Sequence, residues 1–117
     1  MLTALTRGDT AAAFSDARDA AARDPLSVQP LWLLAELYSR IGDEHAAHAE
    51  LVKAMSLQPD NPATWQQLGV YDVQHGQPHK ALGVLEHAQR LDLGSPQIAQ
   101  AIVQAKAALA AIKASRG

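Results

Sequence analysis

Five histidines are the side chains of this sequence best equipped for chemistry, and their spacing decides what they can do. His45 and His48 share a helix face, and His79 falls 34 residues after His45. Zinc needs ligands converging at about 2.0–2.1 Å. Equivalent residues of adjacent helical repeats stand roughly a helix diameter, ~10 Å, apart. No cysteine is present to complete a donor set. The pattern therefore predicts solvated surface histidines, with no metal site and no cofactor. His75 and Asp72, three residues apart, are within hydrogen-bonding reach on one helical turn, but no serine or cysteine nucleophile stands near them in sequence. That pair alone makes no catalytic dyad. The acids Asp43-Glu44 and Asp16 with Asp19 suit helix starts and exposed faces better than paired acid–base catalysis. No catalytic residue is assigned, and the chain is expected not to be an enzyme.

The elements that position these residues follow from an internal repeat. The stretch Asn61 to Leu91 reads NPATWQQLGVYDVQHGQPHKALGVLEHAQRL and holds two helical patterns joined by a turn. Stepping back 34 places from Gly76 reaches Gly42, and 34 more reaches Gly8. The same step links Ala81 to Ala47 and Ala13, Ala88 to Ala54 and Ala20, Leu68 to Leu34, Gly69 to Ala35, and Pro59 to Pro25. A fixed period of this length marks a repeat array.

Composition agrees with packed helices. Of 117 residues, 48% are apolar and only 4% aromatic, with alanine supplying much of the apolar share. Alanine is the strongest helix former and a poor strand residue. The formal charge of −2 and the lack of any Lys/Arg cluster argue against nucleic acid or an anionic membrane as partner. The start, MLTALTRGDTAAAF, lacks the apolar core of a signal peptide, and nothing approaches a membrane span, so the expected location is the cytoplasm.

In chain order, residues 1–6 fall on the end of a helix whose beginning is absent. Gly8 is expected to end it, with Asp9 or Thr10 capping a helix over about 10–23 that Pro25 closes. Ser27 is the expected N-cap of a helix to Ile41 built on Leu31, Leu34, Ala35 and Tyr38, with Gly42 behind it. Asp43 caps a helix over 44–57 with inner residues Ala47, Leu51, Ala54 and Leu57. Pro62 and Pro78 sit where a first helical residue tolerates proline, opening helices over 62–75 and 78–92. Trp65, Leu68, Gly69, Ala81, Leu85, Ala88 and Leu91 form their core. Gly94-Ser95-Pro96 opens a last helix to Ser115, with Ile98, Ile102, Ala105, Leu109 and Ile112 along one stripe. No strand pattern competes. The fold class is all-α, in one domain: a partial repeat over 1–26, repeats over 27–60 and 61–94, and a capping helix over 95–115.

These residues resemble a tetratricopeptide repeat array. Trp65…Leu68-Gly69…Gly76…Ala81…Leu85…Ala88 follows the family pattern, as does Leu31…Leu34-Ala35…Tyr38…Gly42…Ala47…Leu51…Ala54…Pro59. The resemblance covers about residues 7–93 and implies antiparallel helix hairpins stacked as a right-handed superhelix, closed by a solvating helix. Two places depart from the pattern. Asp72 stands where Tyr38 stands one repeat earlier, so Tyr71 or the last helix is expected to fill that space. Leu93 replaces the proline of Pro25 and Pro59, which would let the 78–92 helix run longer.

The resemblance also implies a concave, peptide-binding face. By register it carries Gln29, Trp32, Leu33, Glu36, Ser39 and Arg40 on one helix, and Ala63, Gln66, Gln67, Val70, Val73 and Gln74 on the next. Gln97, Gln100 and Gln104 follow on the last helix. Glutamine both donates to and accepts from a peptide backbone. Chaperone-binding members clamp a C-terminal carboxylate with Lys and Asn; here those places hold Trp32, Glu36 and Gln67, so that activity does not carry over. Trp32 directly follows Leu31, so the two cannot face one packed seam. Either it packs on a neighbouring element or it anchors a ligand.

A weaker similarity, through DPLSVQPLW…AELYSRIG…LQPDNPATW…LGVYDV…LDLGSP, is to the repeat tails of O-antigen ligase-like polysaccharide polymerases, and implies an accessory segment at most. The expected function is a non-enzymatic scaffold for a protein or peptide segment. The alternative is a structural or self-association module. Because residues 1–6 replace a whole helix, Phe14 or the Ala11–Ala13 and Ala20–Ala22 clusters are expected at an uncovered N-terminal edge. That edge either dimerises or continues into a longer array.

Overall fold

The computed structural model describes residues 7–116 and, among them, is all-α: α1 Arg7–Arg23, α2 Gln29–Arg40, α3 Glu44–Leu57, α4 Pro62–Gln74, α5 Pro78–Leu91 and α6 Pro96–Arg116. None of these helices is long and apolar enough to cross a membrane. The helices form two compact units, α1–α3 ending at Gln58 and α4–α6 beginning at Pro59. That division falls in the turn between the two expected hairpins.

Each hairpin turn is built from the same chemistry at the expected spacing. After α2, Gly42 adopts φ +86° and after α4 Gly76 adopts φ +75°, the left-handed region where a side chain costs energy. The amide following each glycine reaches back five residues: Asp43 N–H donates to the Tyr38 carbonyl at 2.9 Å, and Gln77 N–H to the Asp72 carbonyl at 2.8 Å. This closes the last helical carbonyls in a Schellman turn. Asp43 then caps α3 by accepting from Ala46 N–H at 3.1 Å. Asn61 caps α4 through Ala63 N–H at 2.9 Å, and Ser95 caps α6 through Ile98 N–H at 3.3 Å.

Three expected boundaries are corrected. Helix α1 runs from Arg7, so Gly8 lies inside its first turn and caps nothing. The preceding stub, residues 1–6, lies outside the described residues. Ser27 does not cap α2: Val28 holds the N-cap place and no side chain caps that end. The reason is Pro30. With Ser27 as cap, the N3 amide it would bind belongs to a proline, which has no N–H. Helix α5 does not outrun its counterpart either; α3 and α5 are 14 residues each.

In the first unit the core gathers Phe14, Ala17, Val28, Leu31, Leu34, Leu37 and Ala54. Phe14 is a core residue and not part of an exposed edge, being 8% accessible. Its ring meets Tyr38 with centroids 4.9 Å apart, and the Arg18 guanidinium lies 5.2 Å above it while donating to the Tyr38 hydroxyl at 3.1 Å. Of the flanking alanines, Ala11, Ala12 and Ala22 are exposed. The second unit is built on Ala81, Leu85, Ala88, Ile98, Ala101, Ile102 and Ala105. Burial of each such Leu or Ile contributes about 1.5–3 kcal/mol. Along the α6 stripe, Leu109 and Ile112 are only half-buried.

Candidate functional site

Asp72 is buried, so a carboxylate occupies the bulky place held by Tyr38 in the first unit. Tyr71 is half-buried and stacks on His75 with ring centroids 3.9 Å apart, while His75 Nδ1–H donates to the Tyr71 carbonyl at 2.8 Å. That bond ties His75 to its own helix. His87 packs its ring 3.9 Å from Trp65, whose Nε1–H donates to the Pro59 carbonyl at 2.7 Å. No group of three or more metal-ligating side chains occurs among the described residues.

The residues assigned to a concave face divide between two depressions and the surface around them. In the second unit, Val70 of α4 and Gln97, Gln100 and Gln104 of α6 line one depression of about 360 Å³, together with Pro96 and Ala101. The three glutamines are exposed and Val70 is half-buried against the core. They fall at 97, 100 and 104 because spacings of three and four keep residues on one helix face. The floor is apolar and the rim supplies amide donors and acceptors.

In the first unit, Gln29 and Leu33 of α2 line a depression of about 410 Å³ whose opposite wall is α1 with the residue that follows it, through Asp16, Ala17, Ala20 and Asp24. Leu33 is 44% exposed, large for a leucine with no solvent role. Glu36 and Arg40, four residues apart, pair with each other through Arg40 Nη2 and Glu36 Oε2. Their charges therefore cancel locally. Ser39 is half-buried.

The remaining assigned residues stand apart from these depressions. Gln67 and Gln74 are exposed, while Gln66, Val73 and Ala63 are half-buried, Val73 against the second core. Trp32 is half-buried against the first core, and its Nε1–H is enclosed without an acceptor. Four groove residues thus converge in one unit and two in the other. The contribution of α1 was missed, because register alone assigned the face to α2, α4 and α6. Asp16 read in sequence only as an acid of a helix start or exposed face, and Asp24 carried no functional reading.

Two helix hairpins closed by matching glycine turns, each with a helix packed beside it, define the tetratricopeptide-type helical repeat fold. Solved structures agree. The chain is similar to the first TPR of Spaghetti (RPAP3), solved bound to an HSP90 peptide SRMEEVD, with TM-score 0.71 and 16% identity over 92% of this chain and 86% of that one. It is similar to a Thermobaculum terrenum O-GlcNAc transferase, with TM-score 0.69 and 24% identity over 88% of this chain but 20% of the transferase. The structure of MamA gives TM-score 0.61 and 21% identity over 91% of this chain and 68% of that one. No family profile matches the sequence, and no curated protein does.

Proposed function

We propose that this chain is a non-enzymatic scaffold that holds a segment of another protein against its glutamine-lined surface. The observation that carries this is the second-unit depression, where Val70 forms an apolar floor beneath Gln97, Gln100 and Gln104. Amides at that spacing can pair with both the N–H and the C=O of an extended backbone. The fold likeness to a repeat domain solved with a peptide supports the same function. A pull-down from native lysate tests it, comparing wild-type bait with Val70→Asp and Gln100→Ala/Gln104→Ala baits of unchanged circular dichroism. A protein retained by the wild type and lost by both variants supports the scaffold. Equal retention by all three contradicts it.

A self-association module is the second function, favoured by Val103, which is 59% exposed on α6 among exposed Ala99, Ala107, Ala110 and Ala111. Sedimentation of the purified chain separates the two. Assembly without ligand that a Val103→Glu change abolishes favours the module, and a concentration-independent monomer removes it.

A further inference from the structure

The first-unit depression carries two carboxylates and no cation in its lining. Asp16, Ala20 and Asp24 follow one another at four-residue steps and so lie on one stripe of α1 continued to the residue just past its end. Asp24 still follows the helical path, its N–H donating to the Ala20 carbonyl at 3.1 Å. At the helical rise, the two carboxylate-bearing residues stand about 12 Å apart along the stripe. Ala20 lies between them on that stripe, and the exposed Leu33 of the facing helix lines the same depression. Neither Asp16 nor Asp24 forms an ion pair with a described residue. Two nearby cations are already engaged, Arg18 with Tyr38 and Arg40 with Glu36. Arg23 adjoins Asp24 in sequence but does not line the depression.

We propose that this depression binds an extended segment of a partner protein in which an apolar side chain is flanked by two basic residues. The proposal rests on the scaffold function above and gives its partner a charge pattern. The apolar side chain lies over Ala20 and Leu33, and the basic residues meet Asp16 and Asp24. An extended chain rises about 3.3 Å per residue, so a span of about 12 Å fits basic residues three or four positions apart. Lysine and arginine stems lie along the apolar walls while their charged heads reach the carboxylates. A segment such as SRMEEVD, held by the RPAP3 repeat, would instead set its acids against Asp16 and Asp24. Exposed ion pairs contribute little each and weaken with salt, so their effect is on partner choice more than on raw affinity.

The test is selection from a displayed library of random peptides, about twelve residues long, on the immobilised full chain. A synthetic peptide of the enriched sequence is then measured by fluorescence anisotropy. We expect enriched peptides to carry Lys or Arg three or four positions apart around an apolar residue. Asp16→Asn/Asp24→Asn should weaken the synthetic peptide about 3- to 20-fold. Raising NaCl from roughly 50 to 500 mM should weaken the wild type and leave that double variant much less affected. Both aspartates are exposed, so circular dichroism of the double variant should match the wild type. Enriched peptides without basic residues, or binding untouched by the double variant but lost in Val70→Asp, overturn the proposal and leave the scaffold standing. A library from which nothing is enriched overturns both.

Discussion

A β-carbon built on Gly69 would lie 2.5 Å from both Cγ and Cδ2 of Leu85. Helices α4 and α5 therefore touch at this point with no room for a methyl group unless Leu85, which is fully buried, shifts. In the first unit Ala35 and Leu51 occupy the matching places and both are buried, so that seam accepts the methyl.

Gly69→Ala should destabilise the chain. Overpacking costs about 1–3 kcal/mol, which exceeds the ~1 kcal/mol that alanine returns in helix propensity. Gly69→Val loses that compensation and should melt lower still. In a double-mutant cycle, Leu85→Ala should cost less on the Gly69→Ala background than on the wild type. A Gly69→Ala variant melting at or above the wild type would show that Leu85 yields freely.

Trp32 should behave as a packing residue. Trp32→Ala is expected to lose about 2–4 kcal/mol, since a large side chain leaves the α1–α3 core. Trp32→Phe keeps the ring and removes an enclosed N–H with no acceptor, a gain of ~1 kcal/mol that offsets lost contact. Urea unfolding of both variants checks this; equal losses would mean the Trp32 N–H is paired in solution.

The caps should separate cleanly. Asp43→Ala and Asn61→Ala each remove a side-chain acceptor at a helix start and should cost about 1 kcal/mol. Ser27→Ala removes none and should stay within about 0.5 kcal/mol of the wild type. A Ser27 loss as large as that of Asp43 would place the start of α2 one residue earlier.

Three glycines should divide into two opposite signs under alanine substitution. Gly42→Ala and Gly76→Ala force a side chain into the left-handed region and should cost about 1–2 kcal/mol each, although open space surrounds both. Gly83 lies exposed in α5 with nothing near its β position. There alanine should stabilise by about 0.5–1 kcal/mol. Thermal melts of the three variants decide it.

The repeat was legible because it is enforced by contact. Ala47, Ala54, Ala81 and Ala88 are completely buried, and their recurrence with Gly42 and Gly76 places α2 to α5 to within a residue or two. Where that packing logic was extended by register alone, it failed. Gly8 was assigned the role of Gly42, yet the helix passes through it. Ser27 looked like a cap until the missing amide of Pro30 is considered. Phe14 or its flanking alanines were expected at an edge; Ala11, Ala12 and Ala22 are exposed, but Phe14 is buried because the fold brings Tyr38 against it. The glutamines of α6 could be placed together because one helix carries them all. The α1 wall of the other depression could not, since a facing element is a tertiary fact that no single helix pattern contains.

Helix α6 has its last buried residue at Ala105, and Lys106–Arg116 continue for about three further turns. A helical segment of that length is marginal in water without packing, and here only half-buried Ala108, Leu109 and Ile112 steady it. Those turns should therefore open far more often than the anchored half. Trypsin, which needs an unwound strand, should cut first after Lys106 and Lys113 and leave the hairpins intact. The timetable of digestion thus becomes a direct reading of where this helix stops being held.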